Sequence, residues 1–157
     1  MGDVVHALPA VTDLHRRCPD AAIDWLVEAP FAAIPALHPA VQQVLPLAWR
    51  KWRRSLWRAE TRQAIANLRT RLRAQRYDLV IDLQGLVKSM LWGLQARGPL
   101  VGYDRHSIRE SLATLGYRRT AAVAREIHAV ERCRRLVAAP VSVANCRSNI
   151  STLRADR

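Results

Sequence analysis

Two short segments of this sequence hold residue types and spacings that could do chemistry. Residues 49–58 read Trp-Arg-Lys-Trp-Arg-Arg-Ser-Leu-Trp-Arg, five basic side chains and three tryptophans in ten positions. Only Glu60 is an acid close by in sequence, so these cations are not neutralised locally. Guanidinium forks match phosphate and carboxylate oxygens bidentately, so the segment suits a multiply anionic ligand. A solvated cationic loop is the simpler alternative. The tryptophans either anchor the segment on the domain or face a lipid surface. The second segment is Ile81-Asp82-Leu83-Gln84-Gly85-Leu86-Val87-Lys88-Ser89. The apolar run Leu79-Val80-Ile81 reads as a buried parallel strand. Gln84, Gly85, Lys88 and Ser89 follow at its C-terminal end, the edge where open α/β sheets collect ligands. Lys88 is equally readable as a plain surface residue of a helix.

Asp3 follows a glycine at a helix start. A carboxylate is favoured beside a helix N-terminus and could serve as general base toward a hydroxyl, a role typically contributing about 10²–10⁴ in rate. A simple N-cap is the competing reading. Arg109 is either a ligand-binding cation or the partner of Glu110. His128 and Glu131 lie three apart on one helical face, an arrangement that is more often structural. No Walker loop, GxGxxG turn, zinc spacing or nucleophile elbow is present. Cys18, Cys133 and Cys146 show no CxxC spacing, so no metal site follows.

The elements that must position these residues alternate. Val4, Leu8, Val11 and Leu14 recur at helical spacing, with Pro9 implying a kink or a late start. Ile23–Val27 reads as a strand, Phe31–Leu37 as a short helix, Val41–Leu47 as a strand, and the cationic segment as a loop. Ala59–Gln75 reads as a helix burying Ile65, Leu68 and Leu72, with Arg62, Arg69, Arg73 and Arg76 off that face. Gly85 allows a sharp turn into a helix reaching about Gln95. Leu100–Tyr103 is a further strand, and Glu126–Ala138 a last helix. The fold class is α/β, a Rossmann-like doubly wound parallel sheet.

The chain has 157 residues, 50% hydrophobic and 24% charged, enough for one domain with a real core. The formal net charge of +12 favours anionic partners: nucleic acid, acidic membrane or a phosphorylated substrate. No apolar run suggests a membrane span, and no basic-then-apolar leader is visible, so a cytoplasmic location is expected.

Met1-Gly2-Asp3-Val4-Val5-His6-Ala7-Leu8-Pro9-Ala10 resembles the opening motif of the bacterial lipopolysaccharide heptosyltransferases of glycosyltransferase family 9. The cationic segment, Ile81–Ser89, Ser107-Ile108-Arg109-Glu110 and His128-Ala129-Val130-Glu131-Arg132 follow in order. Over about residues 1–139 the chain is similar to the type I members in particular. The resemblance implies one half of a GT-B fold, the N-terminal acceptor-binding domain. It implies inverting, metal-independent transfer of L-glycero-D-manno-heptose from ADP-heptose to Kdo of the lipid A inner core, in lipopolysaccharide core biosynthesis, without a cofactor. It makes Asp3 the catalytic base, and Arg50, Arg53, Arg54 and Arg109 acceptor-binding residues. Gln84 and Lys88, at the same strand edge, are counted with the acceptor-binding residues. The implied partner is Kdo–lipid A, met by a monomeric enzyme peripheral to the cytoplasmic face of the inner membrane, with no nucleic acid involved. The family's first strand, before the Gly-Asp motif, and its donor domain, which holds ADP-heptose, are absent from this sequence. The truncated half is therefore expected not to transfer heptose by itself, and residues 140–157 are expected to be a non-homologous, disordered tail. The alternative is a basic, tryptophan-rich module that binds nucleic acid or an anionic membrane, although no nucleic-acid-binding motif supports the former.

Overall fold

A computed structural model describes residues 2–143. Among the described residues six α-helices and five strands are interleaved: α1 (Gly2–Arg17), β1 (Ile23–Glu28), α2 (Ala33–Ala36), β2 (Val41–Leu47), α3 (Trp49–Trp52), α4 (Ala59–Ala74), β3 (Val80–Ile81), α5 (Val87–Gly93), β4 (Leu100–Tyr103), β5 (Arg119–Ala121) and α6 (Ala129–Val143). Short 3-10 helices cover Ala29–Phe31 and Ser111–Gly116.

Every strand pair is parallel, as the expected α/β class requires. The strands form two sheets, β1-β2 and β3-β4-β5. Among the described residues β1, β2, β3 and β5 each have one edge without a strand partner. The sheets are joined otherwise. The Tyr77 hydroxyl, just before β3, donates to Asp24 Oδ2 in β1 at 2.8 Å. Beneath α1, one apolar cluster of Ala7, Ala10, Cys133 and Val137 takes in Trp25 from β1 and Ile81 from β3.

α1 buries Val4, Ala7, Ala10 and Val11 and packs along α6, where Arg134 Nε meets Asp13 Oδ2 at 2.5 Å. It runs unbroken through Pro9. Packing on both sides of the proline outweighs a backbone cost of about 3 kcal/mol. α6 likewise continues through Pro140 to Val143, beyond the end expected at Ala138. Pro140 itself is buried. The rest of the anticipated tail lies outside the described residues.

The cationic segment is not simply a loop. Trp49–Trp52 forms a helical turn, α3, because Trp52 is buried and its ring lies 5.9 Å from that of Trp92 in α5. Trp49 meets the same Trp92 edge-on at 6.4 Å. These contacts join α3 and α5 to Leu68 and Leu72 of α4 and Leu45 and Leu47 of β2. A third cluster, including Tyr103, Ile108, Ala113 and Leu136, fills the space between β4, β5 and α6.

Candidate functional site

The turn after β3 is built around Asp82, which is 6% exposed. Its Oδ1 accepts from the Gln84 and Gly85 amides at 2.9 and 3.2 Å. Its Oδ2 accepts from Ser89 Oγ and the Tyr117 hydroxyl, both at 2.7 Å. A buried carboxylate is stable only when satisfied in this way. Gly85 adopts φ +66°, and a Cβ there would lie 2.8 Å from Ile108 Cγ1, so glycine is required by both backbone and space. Gly102 plays a related part: a Cβ would collide with the Tyr117 ring, which crosses β4 there to reach Asp82. The open amides of α5 are then met, Leu86 by Ser89 Oγ at 3.2 Å and Val87 by Glu110 Oε2 at 2.7 Å.

This turn brings Gln84 to the C-terminal edge of the second sheet, facing the start of α1. Asp3 stands in the first turn of α1. Arg109 reaches it with Nη2–Oδ1 at 3.1 Å and Nη1–Oδ2 at 3.4 Å, a two-pronged contact between side chains each about half exposed. Asp3 is thus a carboxylate paired in the first helical turn rather than a cap, and Arg109 pairs with Asp3 rather than with Glu110. Asp3, His6, Gln84, Tyr103, Arg109 and Arg132 line a shallow pocket that opens to solvent.

The pocket's inner wall is cationic and aromatic. The Arg132 guanidinium lies 4.8 Å from the centroid of the Tyr103 ring, and its Nη2 donates to the Ser107 carbonyl at 2.6 Å. Among the described residues its buried Nε has no hydrogen-bond partner. Burial pushes the Tyr103 phenol well above its ordinary range, with nearby Cys133 adding to the effect. Burial also pushes the Cys133 thiol up, so that sulfur is no activated nucleophile. The His6 and His128 rings meet edge to face at 5.5 Å. Glu131 pairs with Arg134 and Arg135, not with His128. Among the described residues no group of three or more His, Cys, Asp or Glu side chains could hold a metal ion.

Three residues singled out from the sequence therefore meet in one pocket: Asp3, Gln84 and Arg109. Lys88 is the second residue of α5 and does not line it. Arg50, Arg53 and Arg54 lie on and just after α3, all exposed, and among the described residues none forms an ion pair within 4.0 Å. Trp57 beside them is 72% exposed. His6, Tyr103 and Arg132 were not picked out as site residues. Arg132 follows His128 by one helical turn, and Tyr103 ends a strand, the two signals that could have found them.

The model of glycosyltransferase family 9 (heptosyltransferase) matches residues 65–152, more than half of the chain. Lipopolysaccharide heptosyltransferase 1 of Pseudomonas aeruginosa is 49% identical over 139 residues, covering 88% of this chain and 39% of that relative. The Escherichia coli K12 protein of the same name is 46% identical, covering 88% of this chain and 44% of its own length. The solved structure of E. coli heptosyltransferase WaaC with ADP superposes with a TM-score of 0.87 at 44% identity, covering 90% of this chain and 44% of that one. The chain spans about two fifths of the length of the curated relatives it matches. Sequence family and three-dimensional likeness agree: this chain belongs to glycosyltransferase family 9, the heptosyltransferases.

Proposed function

We propose that this chain is the acceptor-binding half of a lipopolysaccharide heptosyltransferase, and that the whole protein transfers L-glycero-D-manno-heptose from ADP-heptose to Kdo of the lipid A inner core. The observation that carries this reading is the Asp3–Arg109 pair facing Gln84 across an open pocket at a sheet's C-terminal edge. Asp3 takes the proton of the acceptor hydroxyl. The freed oxygen pair attacks the anomeric carbon of the heptose, and the bond from that carbon to the ADP oxygen breaks with its electrons leaving on ADP. Attack opposite the leaving group inverts the anomeric centre. Arg109 holds the Asp3 carboxylate in place and offers its remaining N–H groups to acceptor carboxylate. Arg50, Arg53 and Arg54, unpaired with acids, bind acceptor phosphate. No cofactor or metal takes part in this scheme. The acceptor is lipid-anchored, so the enzyme works as a cytoplasmic protein peripheral to the inner membrane, as a monomer.

Calorimetric titration of this chain with de-acylated Kdo–lipid A, against an oligonucleotide of similar charge, tests the reading. Saturable binding of the former, weakened about tenfold or more by Arg109→Ala through loss of a charge-assisted contact, is expected. Equal, steeply salt-dependent binding of both ligands would reduce the site to nonspecific electrostatics.

A further inference from the structure

Two leucine pairs on neighbouring helices stand in the open. Leu91 on α5 and Leu94 at its C-cap are 52% and 48% exposed, and Leu112 and Leu115 on the 3-10 helix are 68% and 84% exposed. In each pair the spacing is three. That spacing puts Leu91 and Leu94 on one face of an α-helix and eclipses Leu112 and Leu115 on a 3-10 helix. The two helices touch: Gly116 packs on Met90, and a Cβ on it would lie 3.3 Å from Leu94 Cδ1. Leu94 therefore lies beside the 3-10 helix, and the four exposed leucines stand on two touching helices, an amount of apolar surface that soluble proteins rarely leave uncovered.

The rim of this surface is cationic. Lys88 precedes Leu91 by three residues on the same face of α5, and Arg118 and Arg119 come after the 3-10 helix and its C-cap Tyr117. From Leu86 to Arg97 there is no acid, and from Arg105 to Ala121 the only one close to the helix is Glu110, whose carboxylate is turned onto the Val87 amide. The same 3-10 helix begins two residues after Arg109, so the surface adjoins the Asp3 pocket. No helix among the described residues is long and apolar enough to cross a membrane.

We infer that the Leu91, Leu94, Leu112 and Leu115 face seats this domain on an anionic lipid surface, with the leucines entering the headgroup region and Lys88, Arg118 and Arg119 meeting lipid phosphates. The inference deepens the acceptor-site reading and rests on it for orientation, since a bilayer met here presents a lipid-anchored sugar beside Asp3. Leucines are inserted for their apolar area and the basic rim supplies the attraction to negative charge.

The test is co-sedimentation of the chain with phosphatidylcholine vesicles, with and without phosphatidylglycerol, for the parent and for Leu112→Ser/Leu115→Ser. Both positions are exposed, so the variant should fold; circular dichroism checks this. The parent is expected to favour the anionic vesicles, and the variant to lose at least about tenfold in partitioning, as withdrawing two partly inserted leucines implies. Unchanged binding by the variant would overturn the inference. So would equal binding to neutral and anionic vesicles, which marks an apolar face covered by another part of a longer protein. Self-association that the variant abolishes, without vesicle binding, would assign the face to a second copy. A parallel titration with de-acylated Kdo–lipid A contains no membrane, and the vesicles contain no Kdo, so the two readings fail separately.

Discussion

Replacing Asp82 is the sharpest structural perturbation of the candidate site that leaves its lining residues untouched. In Asp82→Ala the Gln84 and Gly85 amides, Ser89 Oγ and the Tyr117 hydroxyl lose their common acceptor. Gln84 and Ser89 can turn to water. The Gly85 amide is buried and Tyr117 half-buried, so their losses stay largely uncompensated. Each bond to a charged group contributes about 1.5–3 kcal/mol, so two uncompensated losses amount to about 3–6 kcal/mol. With a urea slope of about 2 kcal/mol per molar, the unfolding midpoint should fall by about 2 M. Asp82→Asn keeps an acceptor for the amides and should lose roughly half as much. A second signal is independent of stability. Tyr117 is pushed up by burial first and then by the Asp82 charge and hydrogen bond, so its phenol should ionise at lower pH in Asp82→Asn. A midpoint for Asp82→Ala within about 0.3 M of the parent, a shift of well under 1 kcal/mol, would refute the claim that this carboxylate holds the turn.

Alkaline pH should act through three phenols. Tyr77, Tyr103 and Tyr117 are all raised, in each case by burial first. A phenol that holds its proton more tightly folded than unfolded stabilises the fold fully below its ordinary value near 10, and that contribution is lost as pH rises above it. Thermal melts should therefore fall from pH 10 upward, with phenolate absorbance appearing together with unfolding rather than before it. Trp92→Ala should cost about 3–5 kcal/mol in chemical denaturation, and because Trp49 and Trp52 both pack on that ring, it should also expose the α3 backbone to hydrogen exchange.

Most of the elements could be read from residue patterns. Leu100–Tyr103 and Ala59–Ala74 declare themselves, the one by a short apolar run, the other by a leucine stripe flanked by arginines. The turn at Gly85 was legible because glycine and a polar cluster end an apolar run. The 3-10 helix and β5 were not, since Ser111–Ala121 has neither periodicity, and its order comes from Ala113 and Ala121 packing in a cluster assembled by distant residues. Pro9 and Pro140 misled for one reason: a proline's local cost says nothing about the tertiary packing that offsets it. The helical turn at Trp49–Trp52 is also tertiary in origin, set by a ring forty residues away. Asp3 and Arg109 were each legible as chemistry. Their pairing across 106 positions was not, because no local rule joins the first helix to the loop after β4.

The most direct measurement of the central claim is heptose transfer by a chimera. Residues 1–139 of this chain would replace the matching part of the P. aeruginosa relative, which supplies the remaining length. The chimera should transfer heptose from ADP-heptose to Kdo–lipid A, and Asp3→Ala should lower its kcat by about 10²–10⁴ while leaving acceptor KM nearly unchanged. An Asp3→Ala chimera, folded by circular dichroism and turning over within a few-fold of its parent, would contradict the assignment of Asp3 as the base.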